Sequence, residues 1–197
     1  IKRELYRRAL HETAEFIERN MQKAKSFANR FDLLEFAIEN ADNKGLWTEF
    51  GVYKGESINF IAKHIKHDIY GFDSFEGLPA FWKDGFDKGH FKLSKLPKGR
   101  KNVVLIKGLF EDTLPKFIIE NKKEISFIHI DCDLYSSTKT VFDIIGDRIS
   151  KDCIIVFDEF FNYPGWREGE FKAFNEFINR SNREFDYIGY SYKIEQI

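Results

Sequence analysis

No stretch of this 197-residue chain approaches the roughly 20 consecutive apolar residues that a membrane-spanning helix requires, so no membrane partner is expected. Cysteine is scarce: Cys132 and Cys153 are the two present, and both fall inside apolar runs. Two cysteines make no disulfide framework, and a reducing, cytoplasmic setting is expected. An excess of one charge is lacking as well. With 31 Lys and Arg against 32 Asp and Glu, the net charge is −1, which removes the electrostatic reason to expect nucleic acid as a partner. No signal-peptide pattern opens the chain, whose first residues are charged and helical in spacing. It starts at Ile1 rather than Met, and a further segment upstream is expected. Proline is rare, at four residues, and the G-x-G-x-x-G dinucleotide fingerprint does not occur.

What is present describes one globular domain. Hydrophobic residues make up 43% and charged residues 32%, a balance that supports a core of ordinary size. The 22 phenylalanines make that core aromatic-rich. Residues 4–40 carry apolar side chains at three- and four-residue spacing (Leu5, Ala9, Phe16, Ile17, Phe27, Phe31, Leu34, Ile38) and read as an N-terminal helical region. From residue 45 to the end, strands and helices alternate. Strands are expected over 45–51, 68–73, 102–107, 125–131, 153–158, 185–189 and 191–195. Helices are expected over 56–67, 112–121, 136–149 and 169–179. Such alternation calls for a mostly parallel sheet with helices on both faces and a ligand site beyond the C-terminal strand ends. The long irregular stretch 74–101 reads as a functional lid or a disordered segment.

Two of the expected strands end in acid. Residues 125–133 read ISFIHIDCD and residues 152–159 read DCIIVFDE. If these strands are neighbours, Asp131, Asp158 and Glu159 converge. Three carboxylates at one point call for a hard divalent cation, and an all-oxygen set suits Mg²⁺, Mn²⁺ or Ca²⁺. Asp133 lies two residues past Asp131, so strand alternation aims both to one side; a helix-capping role is its alternative. His129 reads as a hydrogen-bonded core residue. Residues 48–57, TEFGVYKGES, place Gly51 and Gly55 in a turn between strand and helix, where backbone would approach a ligand closely. Asp73 ends the next strand, in position to accept hydrogen bonds from both hydroxyls of a ribose or to form an Asx turn. Gly108, Leu109 and Phe110 follow at a third strand tip, where an adenine ring would pack. Tyr135, Tyr163, Trp166 and Arg167 are candidates for an acceptor pocket.

The series TEFGVYKGES, YGFDSFEGLP, GLFEDTLP, HIDCDLYSST and VFDEF resembles the macrocin O-methyltransferase-like family of class I S-adenosylmethionine-dependent enzymes. The resemblance runs from about residue 45 to 177. It implies an α/β, Rossmann-like, seven-stranded methyltransferase sheet with helices on both faces, preceded by N-terminal helices. Residues 1–40 would then be a lid or dimerisation region and residues 45–197 the catalytic core. The cofactors implied are S-adenosylmethionine and Mg²⁺. Glu49, Phe50, Gly51, Tyr53, Gly55 and Ser57 are implied at the methionine end of the donor, Asp73 and Ser74 at the ribose, and Gly108, Leu109 and Phe110 at the adenine. Asp131 is implied in both donor and metal binding, Asp158 and Glu159 as the other metal ligands, and Asp133 as the general base. The chain departs from the family in carrying Glu at 159, where Asp is common.

The activity expected is therefore Mg²⁺-dependent O-methylation of a hydroxyl on a sugar or glycosylated small molecule, by a homodimer. A nicotinamide-dependent oxidoreductase is the competing enzyme class. It lacks support in the glycine loop and leaves the acids at 131–133 and 158–159 without a role. A non-catalytic, cofactor-binding scaffold is the third reading.

Overall fold

Residues 1–193 are described by the structure, a computed structural model. The apolar runs form β2 (Leu46–Phe50), β3 (Ile69–Asp73), β4 (Val103–Lys107), β5 (Ile125–Ile130) and β6 (Ile149–Phe157). They build one sheet in the order β4-β3-β2-β5-β6, with every pair parallel. β5 is buried at each of its six positions, as a strand covered on both faces must be. The chain runs from β2 outward to β3 and β4, then returns to place β5 on the other side of β2. Strand order thus reverses between β2 and β5, which is where α/β sheets collect ligands.

Period-two alternation divides the core. Phe50, Phe72, Ile128, Ile130 and Phe157 join one apolar cluster with α4 (Phe110–Glu120), α5 (Tyr135–Ile145) and α6 (Glu170–Ser181). Trp47, Ile69, Phe127 and Val156 join the other, with α2 (Arg30–Asn40) and α3 (Glu56–His64). Glu49 and His129 share the face of Trp47 and Phe127 by the same alternation, and they are register partners across β2 and β5. Two polar residues are thereby placed side by side in an otherwise apolar layer.

The expected single helical region is two helices. α1 (Lys2–Asn20) ends at Met21, and the chain then forms a short strand, β1 (Lys25–Phe27), before α2. Asn29 stops any continuation: its side chain accepts from the backbone N–H groups of Phe31 and Asp32, the geometry of an N-cap. β1 pairs in parallel with β7 (Gly189–Ser191) in a separate two-stranded patch. The seven-stranded sheet is therefore five strands plus this patch among the described residues. Of the strand expected over 185–189, residues 185–188 form none, and Gly189 opens β7. Of the strand expected over 191–195, Ser191 ends β7, and residues 194–195 lie outside the described residues.

α1 packs through Phe16, whose ring meets Trp166, Phe171 and Tyr187 edge-on. Thr13 Oγ1 accepts from the backbone N–H of Asn162, so α1 is tied to the segment that follows β6. No helix among the described residues is long and apolar enough to cross a membrane.

Candidate active site

The loop between β2 and α3 turns on three left-handed residues, Gly51, Tyr53 and Gly55. Gly51 (φ +88°) cannot be replaced without collision, because a Cβ there would overlap the carbonyl oxygen of Asp131. Its N–H donates to Phe72 O at 2.9 Å, and Asp131 N–H donates to Phe50 O at 2.8 Å. The loop is thus clamped between the ends of β3 and β5, close to the first acid.

Asp73 holds that loop in shape. Its Oδ2 accepts from the backbone N–H groups of Val52 and Tyr53, each at 2.8 Å, and its Oδ1 from Phe75 at 2.7 Å. Three of roughly four acceptor positions on the carboxylate are in use. The loop's own backbone thus uses most of this carboxylate's capacity, and an acceptor position remains for a further donor. The Phe75 bond is the Asx turn. Ser74 Oγ accepts from the backbone N–H of Glu76 in the same turn.

Glu49 and Phe50 do not line the cavity; both are fully buried beneath it. Glu49 Oε1 accepts from Ser57 Oγ at 3.2 Å, and its Oε2 lies 2.8 Å from His129 Nδ1. Burial raises the Glu49 carboxyl above its ordinary value, and the hydrogen bond from His129 opposes that shift. Glu49 accordingly reaches a ligand only through Ser57, the loop residue that does line the cavity. Gly51, Tyr53, Asp73, Ser74, Gly108, Leu109 and Phe110 line the cavity, whereas Gly55 does not.

The acids at the tips of β5 and β6 do converge. One oxygen each from Asp131, Asp133 and Glu159 fall within 4.8 Å of one another, and so do His129, Asp131 and Asp158. The route taken by Asp133 differs from the expected strand pleat. β5 ends at Ile130, Leu134 N–H donates to Cys132 O at 2.6 Å, and Asp133 adopts a left-handed φ of +61°. Aspartate tolerates that conformation better than most residues. Leu134 occupies the capping position of α5, so Asp133 stands ahead of the cap.

Burial, then the neighbouring charges, raises two of these carboxyls, Asp131 and Glu159, well above the usual range. For Asp131 the causes are burial, then the charges of Asp158 and Asp133. For Glu159 they are burial, then Asp158 and Asp133. Asp131 keeps some solvent contact, so burial there acts through the dense protein around it rather than through full occlusion. Glu159 Oε2 is buried without a hydrogen-bond partner. An oxygen-rich set of like charges with such an orphaned acceptor fits a hard divalent cation.

Two members of this centre were not legible as such in the sequence. His129 is fully buried, and its Nε2, lacking a hydrogen-bond partner, lies 4.0 Å from Asp158 Oδ1. The signal was its two-residue offset from Asp131. Glu170, in the first turn of α6, is also fully buried, and its Oε2 accepts from the backbone N–H of Glu159 at 3.2 Å. Its signal was the spacing: residues 170, 173, 174 and 177 form the buried stripe of α6.

The cavity measures about 700 Å³ and is lined by the glycine loop, by Leu109 and Phe110, and by Asp131, Asp133, Asp158 and Glu159. The 74–101 stretch is ordered over it. Leu78 and His90 join backbones at 2.8 Å, and Trp82 N–H donates to Phe86 O at 3.0 Å. Trp82, Phe86 and Phe91 line the cavity and pack on one another and on Tyr53. Tyr135, Tyr163, Trp166 and Arg167 do not line it. Trp166 is core, and Arg167 covers its ring while facing Glu12 at 3.6 Å.

A family profile described as "Methyltransferase domain" matches residues 48–160, which include the glycine loop and all four acids. No curated protein sequence matches the chain. Among solved structures, CalS11, a calicheamicin methyltransferase, is similar at 26% identity and a TM-score of 0.60, covering 74% of this chain and 68% of its own. Its apo form, described as a TDP-rhamnose 3'-O-methyltransferase, aligns at 26% identity and a TM-score of 0.53, over 74% and 67%. The O-methyltransferase NovP shares the fold at 19% identity and a TM-score of 0.58, over 78% of this chain and 72% of that one.

Proposed function

Because this chain belongs to the methyltransferase-domain family, we propose that it transfers a methyl group from S-adenosylmethionine to a hydroxyl of a sugar or glycosylated small molecule, with a divalent cation, Mg²⁺ first among them. The observation that carries this reading is the meeting of Asp131, Asp133 and Glu159 in a cavity that the glycine loop also lines. The likeness to CalS11, described as acting on TDP-rhamnose, supports a sugar acceptor.

The donor supplies a methyl group already activated on sulfur. Ser57, Tyr53 and the Gly51–Gly55 turn would orient its amino-acid end, Asp73 one ribose hydroxyl, and Leu109 with Phe110 its base. Asp131, Asp158 and Glu159 are the residues that would hold the cation, whose charge stabilises a developing alkoxide. Asp133 takes the proton of the acceptor hydroxyl on a carboxylate oxygen; a positioned base of this kind contributes roughly 10²–10⁴-fold. Trp82, Phe86 and Phe91 offer flat apolar faces against which a sugar ring packs, and they exclude water. Alignment of both reactants contributes most: up to about 7–11 kcal/mol of barrier in well-oriented systems. A homodimer is part of this reading, supported by the exposed Leu5, Tyr6 and Leu10 of α1.

Calorimetry with S-adenosylmethionine and NAD, followed by turnover with nucleotide sugars, tests the reading. Donor binding without NAD binding, turnover abolished by EDTA and restored by Mg²⁺, and a kcat loss of roughly 10²–10⁴ in Asp133→Asn with donor affinity kept are expected. Full activity in EDTA, or in Asp133→Asn, refutes it.

A further inference from the structure

The face of the sheet that carries Glu49 also carries part of the acid centre. His129 lies two residues before Asp131, and Asp158 lies two residues past Val156, the register partner of His129 on β6. On its other side, in β2, the register partner of His129 is Glu49. Three neighbouring strands thus bring Glu49, His129, Asp131 and Asp158 to one side by period-two alternation. The backbone ladder still holds both acids, through Asp131 N–H to Phe50 O at 2.8 Å and Asp158 N–H to Ile130 O at 2.9 Å. One ligand-type atom each from His129, Asp131 and Asp158 falls within 4.8 Å of the others.

We propose that His129 is a cation ligand through its Nε2, held together with Asp131 and Asp158, and that this nitrogen turns the site toward first-row transition dications, Mn²⁺ among them, over Mg²⁺. The ring is set for that role. Its Nδ1 lies 2.8 Å from Glu49 Oε2, and Glu49 Oε1 accepts from Ser57 Oγ. A carboxylate that accepts on both oxygens keeps the ring proton on Nδ1 and leaves the lone pair on Nε2. Metal-bound imidazoles are commonly backed by a carboxylate in this way, because it fixes both the tautomer and the ring plane.

His129 is fully buried, and its Nε2 has no hydrogen-bond partner. An orphaned buried acceptor is costly unless something occupies its lone pair. The 4.0 Å between Nε2 and Asp158 Oδ1 is too long for a hydrogen bond. It suits two ligands that flank one ion, each roughly 2.0–2.2 Å from it. Mg²⁺ keeps to oxygen and to its waters, whereas imidazole favours transition ions. His129 does not line the cavity, although Asp131 and Asp158 do, so a nitrogen ligand here takes no room from an acceptor.

This inference rests on the cation site proposed above, and the test separates the two. Mn²⁺ and Mg²⁺ are each titrated by calorimetry into metal-stripped protein and into His129→Asn, and the Mn²⁺ samples are read by pulsed EPR. Asparagine offers an amide N–H in the place of Nδ1, toward Glu49, and nothing in the place of Nε2. The parent is expected to show a nitrogen coupling on bound Mn²⁺ that vanishes in His129→Asn. That variant is expected to bind Mn²⁺ about tenfold or more weakly and Mg²⁺ within about threefold of the parent. If the variant fails to fold, the parent spectrum decides: bound Mn²⁺ without nitrogen coupling overturns the assignment. So does a coupling that persists in His129→Asn, or parent-like Mn²⁺ affinity there; each of these leaves the oxygen ligands standing. A parent protein that binds neither ion overturns the cation site and the histidine ligand together.

Discussion

Gly51→Ala and Gly55→Ala look equivalent on paper, yet the geometry makes them very different. Both glycines have positive φ, +88° and +78°, and an L-residue in that region costs about 1–2 kcal/mol. At Gly55 the new methyl would meet Asn59 Nδ2 at 3.2 Å and Pro97 Cβ at 3.5 Å. One contact is with an amide held by Gly55 O and Lys98 O, which must give by a few tenths of an ångström, and the other is ordinary. At Gly51 it would overlap the carbonyl of Asp131, a backbone group pinned by its own N–H bond to Phe50. Overpacking of that kind adds about 1–3 kcal/mol. Gly55→Ala should therefore lose about 1–2 kcal/mol in urea denaturation and Gly51→Ala about 2–5 kcal/mol. The second effect is functional. Relief at Gly51 must displace either the donor loop or Asp131, so Gly51→Ala should weaken donor and Mn²⁺ binding together, whereas Gly55→Ala should spare Mn²⁺. Equal stability losses in the two variants, or parent-like Mn²⁺ affinity in Gly51→Ala, would refute the claim that the loop and the first acid share one packing contact.

Asp73→Ala removes the acceptor of three backbone N–H groups and should cost about 2–4 kcal/mol, with Asp73→Asn milder; urea midpoints that rank the other way would contradict the loop-holding role. Trp82→Ala should raise KM for the acceptor about tenfold while leaving donor affinity in place, and a change confined to the donor would place Trp82 in the wrong half of the cavity. In metal-free protein, the raised carboxyls of Asp131 and Glu159 keep protons that the unfolded chain releases near pH 4. Stability should then fall as pH rises from about 5 to 8. Added Mg²⁺ should recover more of it at pH 8 than at pH 5. Thermal melts in EDTA that stay flat or rise with pH would speak against a crowded acid centre.

The sheet was legible because its strands are short apolar runs ended by turns: β2 through β5 fall within the expected ranges, while β6 begins at Ile149, inside the helix expected over 136–149. The acid cluster was legible for the same reason: a parallel strand that stops in carboxylates points to its own C-terminal tip. The break between α1 and α2 was not, since Phe27 and Phe31 sustain helical spacing across it while Asn29 caps a new start. β7 was not placed because it satisfies its backbone on β1, 164 residues earlier in the chain at the register partners Gly189 and Lys25, a pairing no local pattern encodes. The pairing of Glu49 with His129, and Glu170 altogether, escaped because a buried polar residue looks like a defect in an apolar pattern. Only the register across β2 and β5, and the stripe on α6, show that the irregularities face one another. Trp166 misled in the opposite sense: an aromatic near an acid pair resembled a sugar platform and is instead core.

The ordered 74–101 stretch joins β3 to β4, whereas the acids descend from β5 and β6. On the proposed reading, the portion of the molecule that would meet an acceptor and the portion that would perform the chemistry are encoded in separate stretches of polypeptide, which approach each other where Trp82 faces Tyr163 at 6.4 Å. Splicing a different connector between those two strands would retarget such a catalyst while leaving its reactive centre undisturbed, a division of labour open to an engineer as much as to natural divergence.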